Sequence, residues 1–169
     1  AYALLPHALH LVACPAAPEA LSRMMQTLGR RYVVAFNRRH GRTGALWAGR
    51  FRAAVVEDGE WLLAALARVD RLALEGGAPG SAAHHLGRGR DPLLTEPPAF
   101  WPLGNTPFER ERAWAQRLEA GPGPLDVPLA RAVQGAWAAG SDAFVAAVAA
   151  EGGRPAGPRR PGRPPRAAL

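Results

Sequence analysis

The residues from Glu19 to Glu57 constrain this chain more than any others. Between those two glutamates there is no acidic residue, and there are eight arginines: Arg23, Arg30, Arg31, Arg38, Arg39, Arg42, Arg50 and Arg52. Leu21, Met25, Leu28, Tyr32 and Phe36 recur at spacings of three and four, which puts them on one side of a helix, with Arg23, Arg30, Arg31 and Arg38 on the other. The spacing predicts a helix that is apolar inward and cationic outward, with Pro18 as its first residue and Gly41 closing it. A glycine-rich turn, His40–Gly44, follows. Ala45–Val56 then reads as a strand with Arg50 and Arg52 on one face at period two. A unit of this kind presents a cationic surface, and its natural partner is a polyanion.

The distribution of charge supports that reading better than its sum of +7. The last eighteen residues, Gly152–Leu169, hold five arginines and no acid, while everything outside the two basic stretches has eight arginines against fourteen acids. Basicity gathered into two patches is the pattern of nucleic-acid contact. All 21 basic residues are arginine, which pairs bidentately with phosphate and guanine where lysine does not. A GC-rich genome produces the same bias without functional selection. With 169 residues and 48% hydrophobic content the chain can bury a core. The single cysteine, Cys14, excludes an internal disulfide and a cysteine-based zinc site. No apolar run approaches the length of a membrane span, and no signal peptide is apparent, so the expected location is cytoplasmic and nucleoid-associated, with no membrane partner.

Along the chain, Ala1–Cys14 is apolar and broken at Pro6-His7, which predicts two short strands or one bent strand. After the basic stretch, Asp58 is placed to cap a helix over 60–75, ended by Gly76-Gly77. Ser81–Leu86 suits a short helical turn holding His84 and His85, and Gly87–Leu103 is proline-rich and irregular. Thr106-Pro107-Phe108-Glu109 is a capping box with proline at the first helical position, predicting a helix to about Ala120. Further helices are expected over 125–139, ended by Gly140, and from Ser141-Asp142 to Glu151. Gly152–Leu169 carries too much proline and glycine to fold alone and reads as a disordered tail. The fold class is therefore α+β: a small antiparallel sheet covered by helices, then a helical C-terminal extension. The expected divisions are a partial DNA-binding core at 1–80, the extension at 81–151 and the basic tail at 152–169.

Three other features carry candidate chemistry. His7 and His10 lie in the first apolar segment; residues three apart on an ideal strand point to opposite faces, so they converge on a metal only through a turn or bulge, and ordinary strand histidines are the plainer reading. His84-His85 suits a core or helix-terminus pair, or else an added ligand or a phosphate contact. In the tail, Arg160-Pro161-Gly162-Arg163-Pro164 loosely resembles an AT-hook, whose arginines enter the minor groove of A·T-rich DNA; Pro161 stands where a full hook has arginine. No activated nucleophile, phosphate-binding glycine loop or carboxylate cluster is visible.

Tyr2-Ala3-Leu4-Leu5-Pro6 followed by His10-Leu11, together with the run LSRMMQTLGRRYVVAFNRRHGRTGALWAGRF, resembles the HUH-class tyrosine transposases, closest to the bacterial branch associated with repetitive extragenic palindromes. The likeness continues through LLAAL, AAHHLGRGRDPLLT, FWPLGNTPFERE and AAGSDAFVAAVA, and it is most specific over Leu21–Phe51. The resemblance implies a mobile-element function in DNA transposition and recombination, and a ferredoxin-like core that binds single-stranded or hairpin DNA. It also implies a divalent metal, Mg or Mn, held by a His-hydrophobic-His pair, and a tyrosine nucleophile on the following helix. This sequence departs from the pattern three times. The metal motif reads Pro6-His7-Ala8-Leu9-His10, so His10 keeps register and His7 is one residue off. The tyrosine position falls on Arg68, and no tyrosine follows Tyr32. The first strand and helix of the family core would lie before Ala1, as in an N-terminally truncated copy. The expectation is an incomplete ferredoxin-like sheet that binds DNA without cutting it. The alternatives are an active metal-dependent cleaving and rejoining transposase, or a non-functional truncated remnant. The oligomeric state and the DNA target are not legible in the sequence.

Overall fold

Pro6 and His7 fold the first apolar segment back on itself. Strand β1 (Tyr2–Leu5) pairs antiparallel with β2 (Ala8–Leu11) in the register Tyr2 to Leu11, Ala3 to His10, Leu4 to Leu9 and Leu5 to Ala8. The ladder extends one step further, where Val12 N donates to Ala1 O at 2.8 Å. The structure is a computed structural model, and it describes residues 1–152 and residue 157. Its element order is β1, β2, α1 (Ala20–Arg39), β3 (Val55–Val56), α2 (Glu60–Glu75), α3 (Ala82–His85), a 3₁₀ turn (Pro98–Leu103), α4 (Pro107–Glu119), α5 (Asp126–Gly135), β4 (Ala138–Ala139) and α6 (Asp142–Gly152). The fold class is α+β, as expected.

The chain forms two compact units, each built from two separate stretches of sequence. The first comprises Ala1–Phe51 and Val69–Leu94. Its core is Ala3 of β1 against Val69 and Ala73 of α2, with Val12 and Leu72 packed around them. Residues 79–81 run beside β1: Leu4 N donates to Pro79 O and Ser81 N to Tyr2 O, each at 2.9 Å, with an antiparallel bridge from Ala3 to Gly80. The approach is so close that a β-carbon at Gly80 would sit 2.6 Å from the Ala73 β-carbon and 2.8 Å from Tyr2 O, so only glycine fits. Helix α2 ends as the sequence predicts, at Gly76-Gly77, with Ala78 N donating to Ala73 O and Gly77 N to Leu74 O.

The second unit takes in Arg52–Arg68 and the chain from Thr95 on. Trp114 of α4 is fully buried, its ring 4.6 Å from that of Phe100. The expected capping box opens α4: Thr106 Oγ1 accepts from Glu109 N, and Glu109 returns its carboxylate to Thr106 N at 3.0 Å and to Asn105 N at 2.7 Å. Ser141 caps α6, accepting from Phe144 N, while its own N–H and hydroxyl are held by the Glu57 carboxylate. Arg117 of α4 pairs with Glu60 of α2.

Four local expectations are corrected. Ala45–Val56 is not a strand except at Val55–Val56. Extended backbone is stable only where a neighbour takes its ladder bonds, and these two residues alone find one, pairing parallel with β4. Helix α5 stops at Gly135 rather than near Ala139, because the Trp137 indole folds back onto Gly135 and a β-carbon there would meet it at 2.3 Å. The chain leaves through Ala136 in the left-handed region (φ +54°), which frees Ala138–Ala139 to pair with β3. The proline-rich stretch after Gly87 holds a 3₁₀ turn, Pro98–Leu103. Pro18 lies in the turn before α1, whose N-cap is Glu19. The tail, with Arg160 and Arg163, lies outside the described residues.

Candidate nucleic-acid interface

Helix α1 forms where the three-and-four spacing places it. Nothing in its sequence breaks it: it contains no proline and its lone glycine is Gly29. Arg38 and Arg39 sit in its last turn, where the negative end of the helix dipole favours cations. The inward half of the prediction does not hold, since α1 buries no residue at all. Its apolar positions are half-covered or exposed, with Leu28 at 38% and Tyr32 at 47% exposure. The helix is cationic on one side, and its apolar stripe is only partly covered: Leu21, Met25 and Phe36 are half-buried, Leu28 and Tyr32 exposed.

Its arginines line two adjoining surface grooves. Arg30, Arg31, Val34, Ala35, Arg38 and Arg39 line one. Arg23, Met24, Thr27, Leu28, Arg31 and Tyr32 line the other, and Arg31 belongs to both. Arg23 is paired with Glu19 at 3.3 Å, an exposed contact between neighbouring turns worth little in water. Arg30 Nε donates to Gln26 O. Among the described residues no ion pair engages Arg31, Arg38, Arg39, Arg42 or Arg50, so the charge is open to an outside anion.

The residues after α1 return along it instead of forming a strand. Asn37 Nδ2 donates to Gly44 O at 2.9 Å, and Arg42 Nη2 donates to Ala45 O while its guanidinium lies over the Phe36 ring. The indole of Trp47 lies over Gly29, and its ring centroid is 5.7 Å from that of Tyr32. Tyr32 in turn stands 5.9 Å from Phe36, and Phe36 4.3 Å from His40. The sequence does not disclose this aromatic row, because Trp47 reads there as part of a strand. Arg50 and Arg52 do not share a strand face as expected. Arg50 lies in the irregular segment, and Arg52 belongs to the second unit, where it donates to Gln134 O at 3.0 Å.

The residues expected to handle a metal and a nucleophile are placed as follows. His7 is exposed in the hairpin turn, and His10 lies half-buried on β2 opposite Ala3. Among the described residues no three His, Cys, Asp or Glu side chains gather as a metal site. Arg68, at the expected tyrosine position, has its Nη1 3.6 Å from Asp126 Oδ1 at the start of α5.

One polar cluster was not anticipated. Asp70 is fully buried on α2; it accepts from Ser81 Oγ at 2.5 Å and lies 2.6 Å from His85 Nδ1, with Ser81 also fully buried. Ser81 Oγ accepts from Tyr2 N at 3.0 Å, which ties β1 to the cluster. The carboxylate stands between the hydroxyl and the imidazole, so the imidazole does not adjoin the serine and the order of groups is not that of a Ser-His-Asp triad. Beside it, Tyr2 Oη donates to Asp91 Oδ2 at 2.7 Å, and Asp91 N donates to His84 Nδ1. That bond raises the Tyr2 pKa, and with the Leu93 N–H it holds the Asp91 carboxyl below the usual range. A lone acid inside the run LLAALARVDRLAL was the available signal for Asp70. His85 takes the core alternative that the sequence left open.

Among the described residues no helix is long and apolar enough to cross a membrane. No protein-family model matches the chain, and no curated protein or solved structure matches it either.

Proposed function

We propose that this chain is a transposase-like DNA-binding protein of the HUH tyrosine class that grips single-stranded or hairpin DNA and does not cut it. The observation that carries the reading is helix α1 with the turn after it. Its arginines are concentrated without an interposed acid, lie along two grooves and, Arg23 aside, are unpaired by acids among the described residues. Phosphate contacts supply most of the affinity in such an interface, and guanidinium groups suit them. In this reading β1, β2 and α1 belong to a ferredoxin-like antiparallel sheet and its helix. The tail arginines, Arg160 and Arg163 among them, add affinity, and the protein works in the bacterial cytoplasm on the nucleoid.

The absence of strand cleavage rests on Arg68. Where the resemblance calls for a nucleophilic tyrosine, the chain has a cation directed to Asp126, and Tyr32 stands on α1 among aromatic rings. Neither group is an activated nucleophile beside a base. The test is incubation of the full chain with a labelled hairpin-bearing strand and Mg²⁺ or Mn²⁺, resolved on both native and denaturing gels. A retarded native band with no covalent adduct is expected. A covalent adduct would overturn the non-cleaving reading, and no retarded band would overturn the DNA-binding one.

A further inference from the structure

Helix α1 carries more than charge. Met24 is 43% exposed, Leu28 38%, Tyr32 47% and Trp47 41%. Singly, such residues need no explanation, but these form one continuous strip. Met24, Leu28 and Tyr32 line a single groove with Arg23 and Arg31, and Tyr32 is joined on its other side to Trp47. The rings are held in place: Tyr32 is braced by Phe36, and Trp47 lies over Gly29. A large aromatic surface that is rigid, exposed and flanked by guanidinium groups is suited to a ligand that is flat, apolar on its faces and anionic along its edge. An unpaired nucleotide has that chemistry. A stacked duplex hides its base faces and offers only phosphates and groove edges to such a strip.

From this we infer that Tyr32 and Trp47, with the Met24–Leu28 strip, are a stacking platform for unpaired bases of single-stranded DNA, and that Arg23 and Arg31 hold the adjoining phosphates. The inference rests on the DNA-binding reading above and goes beyond it, because it assigns selectivity for unpaired over paired strands to named side chains. A second copy of the chain is the less suitable occupant. Two such faces would set two acid-free arginine clusters against each other, and juxtaposed like charges oppose association.

The experiment is a fluorescence titration of the full chain with an oligo-dT strand and, separately, with a duplex of equal length. The wild type is compared with Trp47→Phe, which keeps an aromatic ring over α1, and with Tyr32→Ala; far-UV circular dichroism verifies that both are helical. The expected result is quenching by the single strand that is largely lost in Trp47→Phe although four other tryptophans remain. Tyr32→Ala should weaken single-strand binding about tenfold, the loss of roughly one stacked base, and change duplex binding less than about twofold. Quenching unchanged in Trp47→Phe would overturn the platform, and that variant decides the matter even if Tyr32→Ala does not fold. Equal losses for both strands in Tyr32→Ala would also overturn it. So would a concentration-dependent dimer that Tyr32→Ala dissolves without altering DNA affinity. Failure of the wild type to bind either strand would instead refute the DNA-binding reading beneath it.

Discussion

Asp70 accepts a hydrogen bond from Ser81 and lies against His85 with no exposure to solvent, and through Ser81 it reaches the backbone of β1. A buried carboxylate is tolerable only when its partners satisfy it, and removing it strands both. Asp70→Ala should therefore cost about 3–5 kcal/mol of unfolding free energy, read from urea denaturation. The neighbouring Tyr2–Asp91 bond makes a pH prediction. Asp91 is held below its ordinary value, first by Tyr2 and then by Leu93 N–H, so its contribution is present above the ordinary carboxylate value and lost as pH falls through the lowered one. Tyr2 is raised, so its contribution is present below the ordinary phenol value and lost as pH rises through the raised one. Tyr2→Phe should flatten both limbs of a plot of melting temperature against pH, while the acid limb keeps the shares due to the Leu93 N–H on Asp91 and to Glu109, whose capping bonds to Thr106 and Asn105 lower it likewise. At this scale the sequence is legible for the presence of a special residue and not for its partners. Asp70 stands out from its apolar run, but nothing local says that Ser81 and His85 close on it.

Elements whose cause is local were the readable ones. The capping box of α4 is written in four consecutive residues, and the structure has both of its reciprocal bonds. Thr106→Ala should cost about 1 kcal/mol by the same denaturation measurement. The end of α5 went unread because its cause is an aromatic ring folding back onto Gly135, and the residue beyond, Ala136, takes the left-handed conformation without being glycine. Ala136→Gly should relieve that strain and stabilise the protein by about 0.5–1 kcal/mol net of the extra freedom of the unfolded chain. The strand expected over 45–56 failed for a related reason. Alternation of Arg50, Phe51 and Arg52 describes what a strand would look like, whereas a strand exists only where a partner takes its ladder bonds, and the partner of Val55–Val56 lies in β4, far along the chain. The apolar face of α1 was legible as a stripe, and its exposure was not, because periodicity reports which residues share a side and is silent about what covers it.

For the whole molecule, α+β character followed from the order of apolar segments and breakers. The two units did not, because each joins separate stretches and α2 contributes to both. The segregation of charge was plain in the sequence and is spatially kept, with the arginines of α1 gathered along its grooves. The central claim, that this surface is an interface for the DNA backbone, is tested most directly by the slope of log Kd against log salt concentration for a hairpin-bearing single strand. Wild type is compared with a variant carrying Arg30→Gln, Arg31→Gln and Arg38→Gln. Each phosphate contact on a single strand contributes about 0.7 to that slope, so the account predicts steep salt dependence in the wild type and a slope reduced by about 2 in the variant. Binding that is indifferent to salt, or a slope that the three substitutions leave unchanged, would contradict it.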